Sequence, residues 1–353
     1  MKKISAHGGS YTCAEDIEQK PIEKKSAFVA VVGRPSAGKS TLINTFCGAK
    51  VSIVSPVPQT TRNNIRGIVN SGRGQIIFVD TPGRHKSDKK LNKHLIGNAD
   101  RALLDSDLIL YLIDSSRQCG EEEIECAQSL PKNMLGTKVI VAINKIDNNN
   151  SNCENVQKFL CERLPELNAD HIFKISALKG IGTKDLLDRI YELSPEGPQY
   201  YDSDCYTDQE VNFRIAEIIR EKATERLREE LPHAIYVEIT DCGFKQVKPP
   251  TSSSSTKSAL PASSERASIE AVPLTSGKQT VIPETLIVRA CIRCERESQK
   301  GMIVGKGGTM IRSIRLAALE DLKKIFDWKI ELEIRVKTDR DWRSDDGVLK
   351  KIL

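Results

Sequence analysis

The sequence has no apolar run long enough to cross a bilayer. Its longest, such as Leu108–Ile113, fall far short of the roughly 20 residues a spanning helix needs, so a helical membrane-spanning protein is excluded and only peripheral contact stays open. Residues 1–27 lack an apolar h-region and carry Asp and Glu among their lysines. That argues against a secretory signal and an acid-poor transit peptide, and a disordered tail is expected over residues 1–26. A disulfide framework is missing too: ten cysteines are scattered between Cys13 and Cys294, a usage that suits a reducing cytoplasm. Only Cys291 and Cys294 have zinc-ligand spacing. They sit in an apolar, strand-like run with no second pair nearby, so they read as core or surface thiols. Nor is there a large excess of one charge: 53 Lys+Arg stand against 48 Asp+Glu, a formal net charge of +5. Any basic surface must be local. No internal repeat is visible.

The 353 residues leave room for two ordinary domains, and 39% hydrophobic with 29% charged residues is a globular balance. The runs Phe28–Val32, Ile76–Val79, Leu108–Ile113, Val139–Ile143 and Ile172–Ile175 read as strands. They alternate with stretches of helical spacing at Lys39–Cys47, Asn92–Leu104, Glu121–Leu130, Cys153–Leu164 and Thr183–Leu193. This βαβα order predicts an α/β domain over residues 27–195 with a mainly parallel, doubly wound sheet, whose ligands sit at the carboxyl ends of the strands. Ser194-Pro195-Glu196-Gly197-Pro198 ends the pattern and marks a boundary. Residues 196–353 then read as helix Glu210–Glu229, strand Ala234–Thr240, strand Thr285–Arg293, helix Met302–Ala317, helix Leu319–Phe326 and strand Ile330–Lys337. Between the two first strands, residues 245–281 are rich in Ser, Pro, Thr and Lys, and a disordered insertion in a hairpin is expected.

Directly after the first strand, Gly33-Arg34-Pro35-Ser36-Ala37-Gly38-Lys39-Ser40 completes the G-x-x-x-x-G-K-[ST] pattern and opens a helix. Such a loop turns backbone N–H groups and a helix N-terminus onto a phosphate. Lys39 reaches the β and γ oxygens, and the Ser40 hydroxyl is placed for Mg²⁺. Asn144-Lys145-Ile146-Asp147 follows the fourth strand. A carboxylate at Asp147 accepts from both N1–H and the exocyclic amine of guanine, a donor pair adenine lacks, so GTP is selected and a kinase reading fails. Asp80-Thr81-Pro82-Gly83 supplies Asp80 for Mg²⁺ through water and the Gly83 N–H for the γ-phosphate. In the loop Gln59-Thr60-Thr61-Arg62, Thr61 is the candidate second Mg²⁺ hydroxyl and Thr60 the fallback. Ser176-Ala177-Leu178 is placed to support the base. Lys39, Thr61 and Gly83 are the candidates for assisting hydrolysis.

In the second region, Ile303-Val304-Gly305-Lys306-Gly307-Gly308 holds a G-x-x-G loop. From Leu286 to Leu316 lie seven basic residues (Arg289, Arg293, Arg296, Lys300, Lys306, Arg312, Arg315) against Glu295 and Glu297. A G-x-x-G loop that clamps about four nucleotides, beside an apolar groove, is the KH arrangement for single-stranded RNA. Ile303, Gly305, Lys306, Gly307, Gly308, Arg312 and Arg315 are the candidate RNA contacts.

Together these residues resemble the Era family of bacterial GTPases, which join a Ras-like G domain to a type II KH domain; the likeness runs from about Ala27 to Lys337. It implies a P-loop NTPase domain followed by an α+β KH domain, with GTP as substrate and Mg²⁺ as cofactor. It further implies binding to the 3′ end region of 16S ribosomal RNA and to the small (30S) ribosomal subunit during its assembly. A cytoplasmic monomer with peripheral contact to the inner face of the cell membrane is the expectation. Two rivals stand beside it: an RNA-holding module with little GTP turnover, and a membrane-linked signalling GTPase. The family's P-loop usually has Asn at the place of Ser36, a residue associated in relatives with a potassium ion. Where the family usually places a bulky apolar residue after the Asp80–Gly83 segment, this chain has Arg84, either solvated or a charge-compensating finger in cis.

Overall fold

The structure is a computed structural model, and it describes residues 24–55, 57, 60–82, 90–136, 138–245 and 285–352. Residues 1–23, Gln59, Gly83, Arg84 and all of the expected insertion beyond Lys245 lie outside the described residues.

The first domain runs β1 (Lys25–Val32), α1 (Lys39–Cys47), β2 (Ile65–Ser71), β3 (Gly74–Asp80), α2 (Lys90–Leu104), β4 (Leu108–Asp114), α3 (Glu121–Gln128), β5 (Val139–Asn144), α4 (Cys153–Arg163), β6 (Ile172–Lys174) and α5 (Thr183–Leu193). The sheet order is β2-β3-β1-β4-β5-β6, with only β2 antiparallel to its neighbour. Every residue of β3, β4 and β5 is buried, as their unbroken apolar runs require when helices cover both faces. One face packs Leu42, Ile43, Leu186 and Ile190 from α1 and α5. The other packs Cys126, Val156 and Leu160 from α3 and α4. β1 takes in Lys25 and Ser26, which the sequence reading assigns to the tail, and β2 is a strand that reading lacks. Only part of β2 is apolar, because it lies at the sheet's edge and exposes Arg66.

The stretch after Pro195 stays with the first sheet. The Ile68 N–H donates to the Tyr206 carbonyl at 3.0 Å, and Gln75 Nε2 to the Tyr201 carbonyl at 2.9 Å. By its contacts the first domain therefore reaches about Gln209 rather than ending at residue 195.

The second domain runs α6 (Val211–Arg226), β7 (Ile235–Phe244), β8 (Thr285–Cys294), α7 (Glu297–Val304), α8 (Thr309–Ile325), β9 (Lys329–Thr338) and α9 (Asp346–Ile352). β7 and β8 pair antiparallel, β8 and β9 parallel. α6 and α8 cover one face through Ile215, Ile219, Ile314 and Leu322. On the remaining face Tyr236, Trp342 and Leu349 form a small cluster with Leu95 of α2. The expected helices Met302–Ala317 and Leu319–Phe326 are corrected to α7 and α8. The chain breaks at the glycine loop, since Gly305, Gly307 and Gly308 all have positive φ, and runs on through Ala318, which is buried in the core.

The domains meet in a charged cluster. Lys50, in the loop after α1, pairs with Glu221 of α6 and, at 2.8 Å, with Asp321 of α8; Lys222 reaches Asp321 at 2.9 Å. Burial pushes the Asp321 carboxyl up, but the hydrogen bonds from Lys50 and Lys222 outweigh it and hold it well below the usual carboxylate range. A carboxylate depressed by folding contributes stability that is present above its unfolded pKa and lost as pH falls below it. Asp321→Asn is expected to cost about 2 kcal/mol in urea unfolding at pH 7, and the difference from the parent is expected to shrink below about pH 4.

Candidate functional site

Asp80, Asp114 and Asn144 end three parallel strands at the same end of the sheet, with β1 between the first two, where such sheets hold ligands. The loop from Gly33 to Ser40 rises there into α1. Gly38 has φ +101, and a Cβ on it would lie 2.3 Å from Asn144 Nδ2, so both the turn and the close packing need glycine. A cavity of about 420 Å³ opens beside the loop, lined by Ser36, Gly38, Lys39, Ser40, Thr61, Arg117 and Lys145 among others.

Lys39 is buried, and its Nζ donates to the carbonyls of Gly33 at 2.9 Å and Arg34 at 3.0 Å. Burial lowers its pKa from the usual value, and Asp80 opposes that shift. Ser40 Oγ donates to Asp80 Oδ2 at 2.7 Å and lies 3.2 Å from Thr61 Oγ1, which in turn reaches Asp80 Oδ2 at 3.5 Å. Three residues distant in sequence thus converge on one point. Thr60 does not join them, because its hydroxyl donates to the Val57 carbonyl. Burial pushes the Asp80 carboxyl up, while Lys39 and the neighbouring hydroxyls pull it down. Its Oδ1 is buried without a hydrogen-bond partner. A carboxylate with an unpartnered oxygen beside two hydroxyls is a donor set of hard oxygens that fits Mg²⁺.

The base-side residues close on the same loop. Asn144 donates to the Ala37 carbonyl at 2.8 Å and accepts from the Ala177 N–H at 2.9 Å, tying the two loops together. Lys145 donates to the Ser36 carbonyl at 2.8 Å and to Asp114 at 2.7 Å. The Ser176 hydroxyl, with Lys179 nearby at 3.9 Å, holds the Asp147 carboxyl below the usual range. Thr81 donates to the Val31 carbonyl, Pro82 is buried behind it, and Leu178 is exposed. The Arg34 side chain points away from the cavity: it ion-pairs with Asp114 and Glu123 and donates to the Asp114 and Gln118 carbonyls. Of Arg34, Pro35 and Ala37, Pro35 lines the cavity.

Asp114, Glu123 and Arg117 are absent from the sequence reading. Asp114 carries a signal, a carboxylate at the end of a buried strand in register with Asn144. Glu123 and Arg117 carry none, since their placement depends on packing between elements.

In the second domain, Gly305 has φ +74, and a Cβ there would lie 2.7 Å from that of Met310, so the loop turns tightly onto α8. Lys306 and Arg312 are exposed and, among the described residues, without an ion-pair partner. Arg315 donates to the Leu332 carbonyl. Ile303 is fully buried in the core, so its side chain supports the loop from beneath. The seven-residue basic cluster is also thinner than its count: Arg289, Arg293 and Lys300 are held by Asp241, Glu238 and Glu297. Exposed Met302 and Leu316 add apolar surface to the same domain.

The profile of the 50S ribosome-binding GTPase family matches residues 28–145, and that of the KH domain matches residues 271–343. GTPase Era of Treponema denticola is 44% identical over 328 residues, covering 93% of this chain and 99% of that protein. The chain belongs to the Era family of GTPases. The Borreliella burgdorferi member is 42% identical over 329 residues, with 93% and 99% covered. The crystal structure of a point variant of Aquifex aeolicus Era bound to GDP·AlF4⁻ superposes with a TM-score of 0.77 at 32% identity, covering 92% of this chain and 98% of that one. A crystal structure of Era in complex with MgGDPNP and nucleotides 1506–1542 of 16S ribosomal RNA gives 0.77 at 32% identity, with 93% and 98% covered. The Era architecture thus accounts for both domains of this chain.

Proposed function

We propose that the chain is a GTP-hydrolysing switch whose KH domain binds the 3′ end region of 16S ribosomal RNA during assembly of the small (30S) ribosomal subunit. The observation that carries it is the convergence of Ser40, Thr61 and Asp80 beside Lys39, with Asn144 tying this point to the base-reading loop. Era in complex with a 16S segment and MgGDPNP supports the RNA and the metal. Ser40, Thr61 and, through water, Asp80 would hold Mg²⁺. When bound, that ion neutralises charge on the phosphate oxygens.

The chain's own residues bind and orient. The Gly33–Ser40 loop and Gly83 present N–H groups to the phosphates, Lys39 offsets their charge, and Asp147 selects guanine. Among the described residues no side chain is placed as a general base, so slow intrinsic turnover is expected. Among the same residues no helix is long and apolar enough to cross a membrane. A cytoplasmic monomer touching the membrane peripherally belongs to the same reading.

GTP turnover in potassium and in sodium buffers, with and without a single strand from the 3′ end of 16S RNA, tests the reading. Stimulation by RNA supports the coupled switch. Tight binding with no turnover under any condition replaces it with the RNA-holding module. For the RNA surface the informative change is Gly307→Asp, where an added Cβ meets nothing within 4 Å and aspartate tolerates φ +61 better than most residues. Affinity for the strand is expected to fall at least about tenfold, with melting preserved, because a carboxylate then faces the approaching phosphates. Affinity unchanged across a salt titration would remove the loop from the interface.

A further inference from the structure

The loop that carries Thr61 is held from the second domain. Arg220 of α6, clamped by Glu217, donates to the Thr60 carbonyl at 2.6 Å. Arg62 is 7% exposed, and its Nη1 donates to the carbonyl of Ile235, the first residue of β7, at 2.9 Å. Its guanidinium lies over the ring of Trp342, 5.4 Å from the centroid. Asn63 donates to the Ile352 carbonyl at the end of α9 at 3.0 Å. Two of these four contacts, those to Trp342 and Ile352, fall on the C-terminal segment, which runs past the end of the KH match at residue 343. It is also the segment that packs Leu95 of α2, the helix following the Asp80–Gly83 loop, against Tyr236, Trp342 and Leu349.

Trp342 is fully buried, its ring 4.9 Å from that of Tyr236 and tilted by 55°, and its indole N–H donates to the Ala234 carbonyl at 3.2 Å. It is therefore a fixed platform. Arg62 has no carboxylate within ion-pair distance among the described residues, and burial, with Arg220 beside it, lowers its pKa to about 9. A buried cation held by one carbonyl and an aromatic face is weakly anchored compared with a salt-bridged one. A cavity of about 570 Å³ that Arg62 and Arg220 line gives it room to leave.

We propose that Arg62 and Trp342 are positioning residues for GTP hydrolysis. The C-terminal segment, Trp342 with α9, seats Arg62 and thereby fixes the backbone that presents Thr61 to the nucleotide. Turnover in the first domain then depends on how this segment is seated on the second. The proposal rests on the role assigned above to Thr61. It makes the C-terminal segment more than a solvated appendage to the KH fold, because the Thr61 loop and α2 both bear on it.

The test uses the full chain. Arg62→Met and Trp342→Leu are expected to lower kcat on the order of tenfold to a hundredfold, the size a misplaced group produces, while KM for GTP stays within about twofold. Trp342→Phe keeps an aromatic face and restores most of the loss. With only two tryptophans in the chain, Trp328→Phe leaves Trp342 as the sole emitter, and its spectrum is expected to differ between the GDP and GDPNP states. Thr61→Ala is the control. If it leaves kcat unchanged, the role of Thr61 fails and the proposal with it. If it lowers kcat while folded Arg62→Met and Trp342→Leu do not, the positioning proposal alone is overturned. Should Trp342→Leu fail to fold, the emission decides: identical spectra in the two nucleotide states overturn the proposal.

Discussion

Asp147→Asn is expected to turn the protein from a guanine into a xanthine nucleotide hydrolase, with kcat/KM for GTP falling on the order of 10³- to 10⁵-fold and that for XTP rising to take its place. In the proposed reading the carboxylate accepts twice from guanine, and the Ser176 hydroxyl holds it below the usual carboxylate range. The amide replaces one acceptor with a donor. Guanine's exocyclic amine then faces another N–H, whereas the carbonyl that xanthine carries at the same place accepts from it. The rest of the pocket is unaffected, because the P-loop is tied to this loop through Asn144 and Lys145 rather than Asp147. Initial rates with GTP, XTP and ATP check it. A variant that still prefers GTP would remove Asp147 from the base contact.

Lys39→Ala carries the second large effect, a fall in kcat of about 10²- to 10³-fold, the cost of removing a preorganised charge at the transferring group. Its ammonium is already aligned on the Gly33 and Arg34 carbonyls at 2.9 and 3.0 Å. Folding is expected to lose only about 1–2 kcal/mol, since two carbonyls lose a donor and no apolar core is opened. Lys39→Arg is expected to remain impaired, because a planar fork does not fit where a compact ammonium sits between two carbonyls. Single-turnover rates with a melting curve separate chemistry from stability, and near-parent turnover by the alanine variant would place the charge elsewhere.

Much of this was legible because the informative residues are local. A G-x-x-x-x-G-K-[ST] pattern between a strand and a helix specifies its own geometry, and the meeting of Ser40 with Asp80 follows once β1 and β3 are parallel, whereas Thr61 is brought in by the antiparallel β2. What was not legible depends on partners far along the chain. β2 reads as irregular because Arg66 and Asn70 break its alternation, and its strand character comes from pairing with β3. Arg34 looks like a loop cation until Asp114 and Glu123 are brought under it. The basic cluster of the KH region loses Arg289 and Arg293 to carboxylates on β7. Trp342 and α9 lie past the last recognisable motif, and no periodicity in a seven-residue helix reveals what it covers.

The stretch between Glu196 and Gln209 lies along the open side of β2, its backbone bonded to Ile68, Asn70 and Gln75. That strand is the outermost of its sheet, the kind of rim along which unrelated chains join and aggregate. The connector therefore also covers an edge that would otherwise be open to pairing. Boundary and protection are one piece of chain: shortening the connector to stiffen the pair of domains would expose the rim it covers.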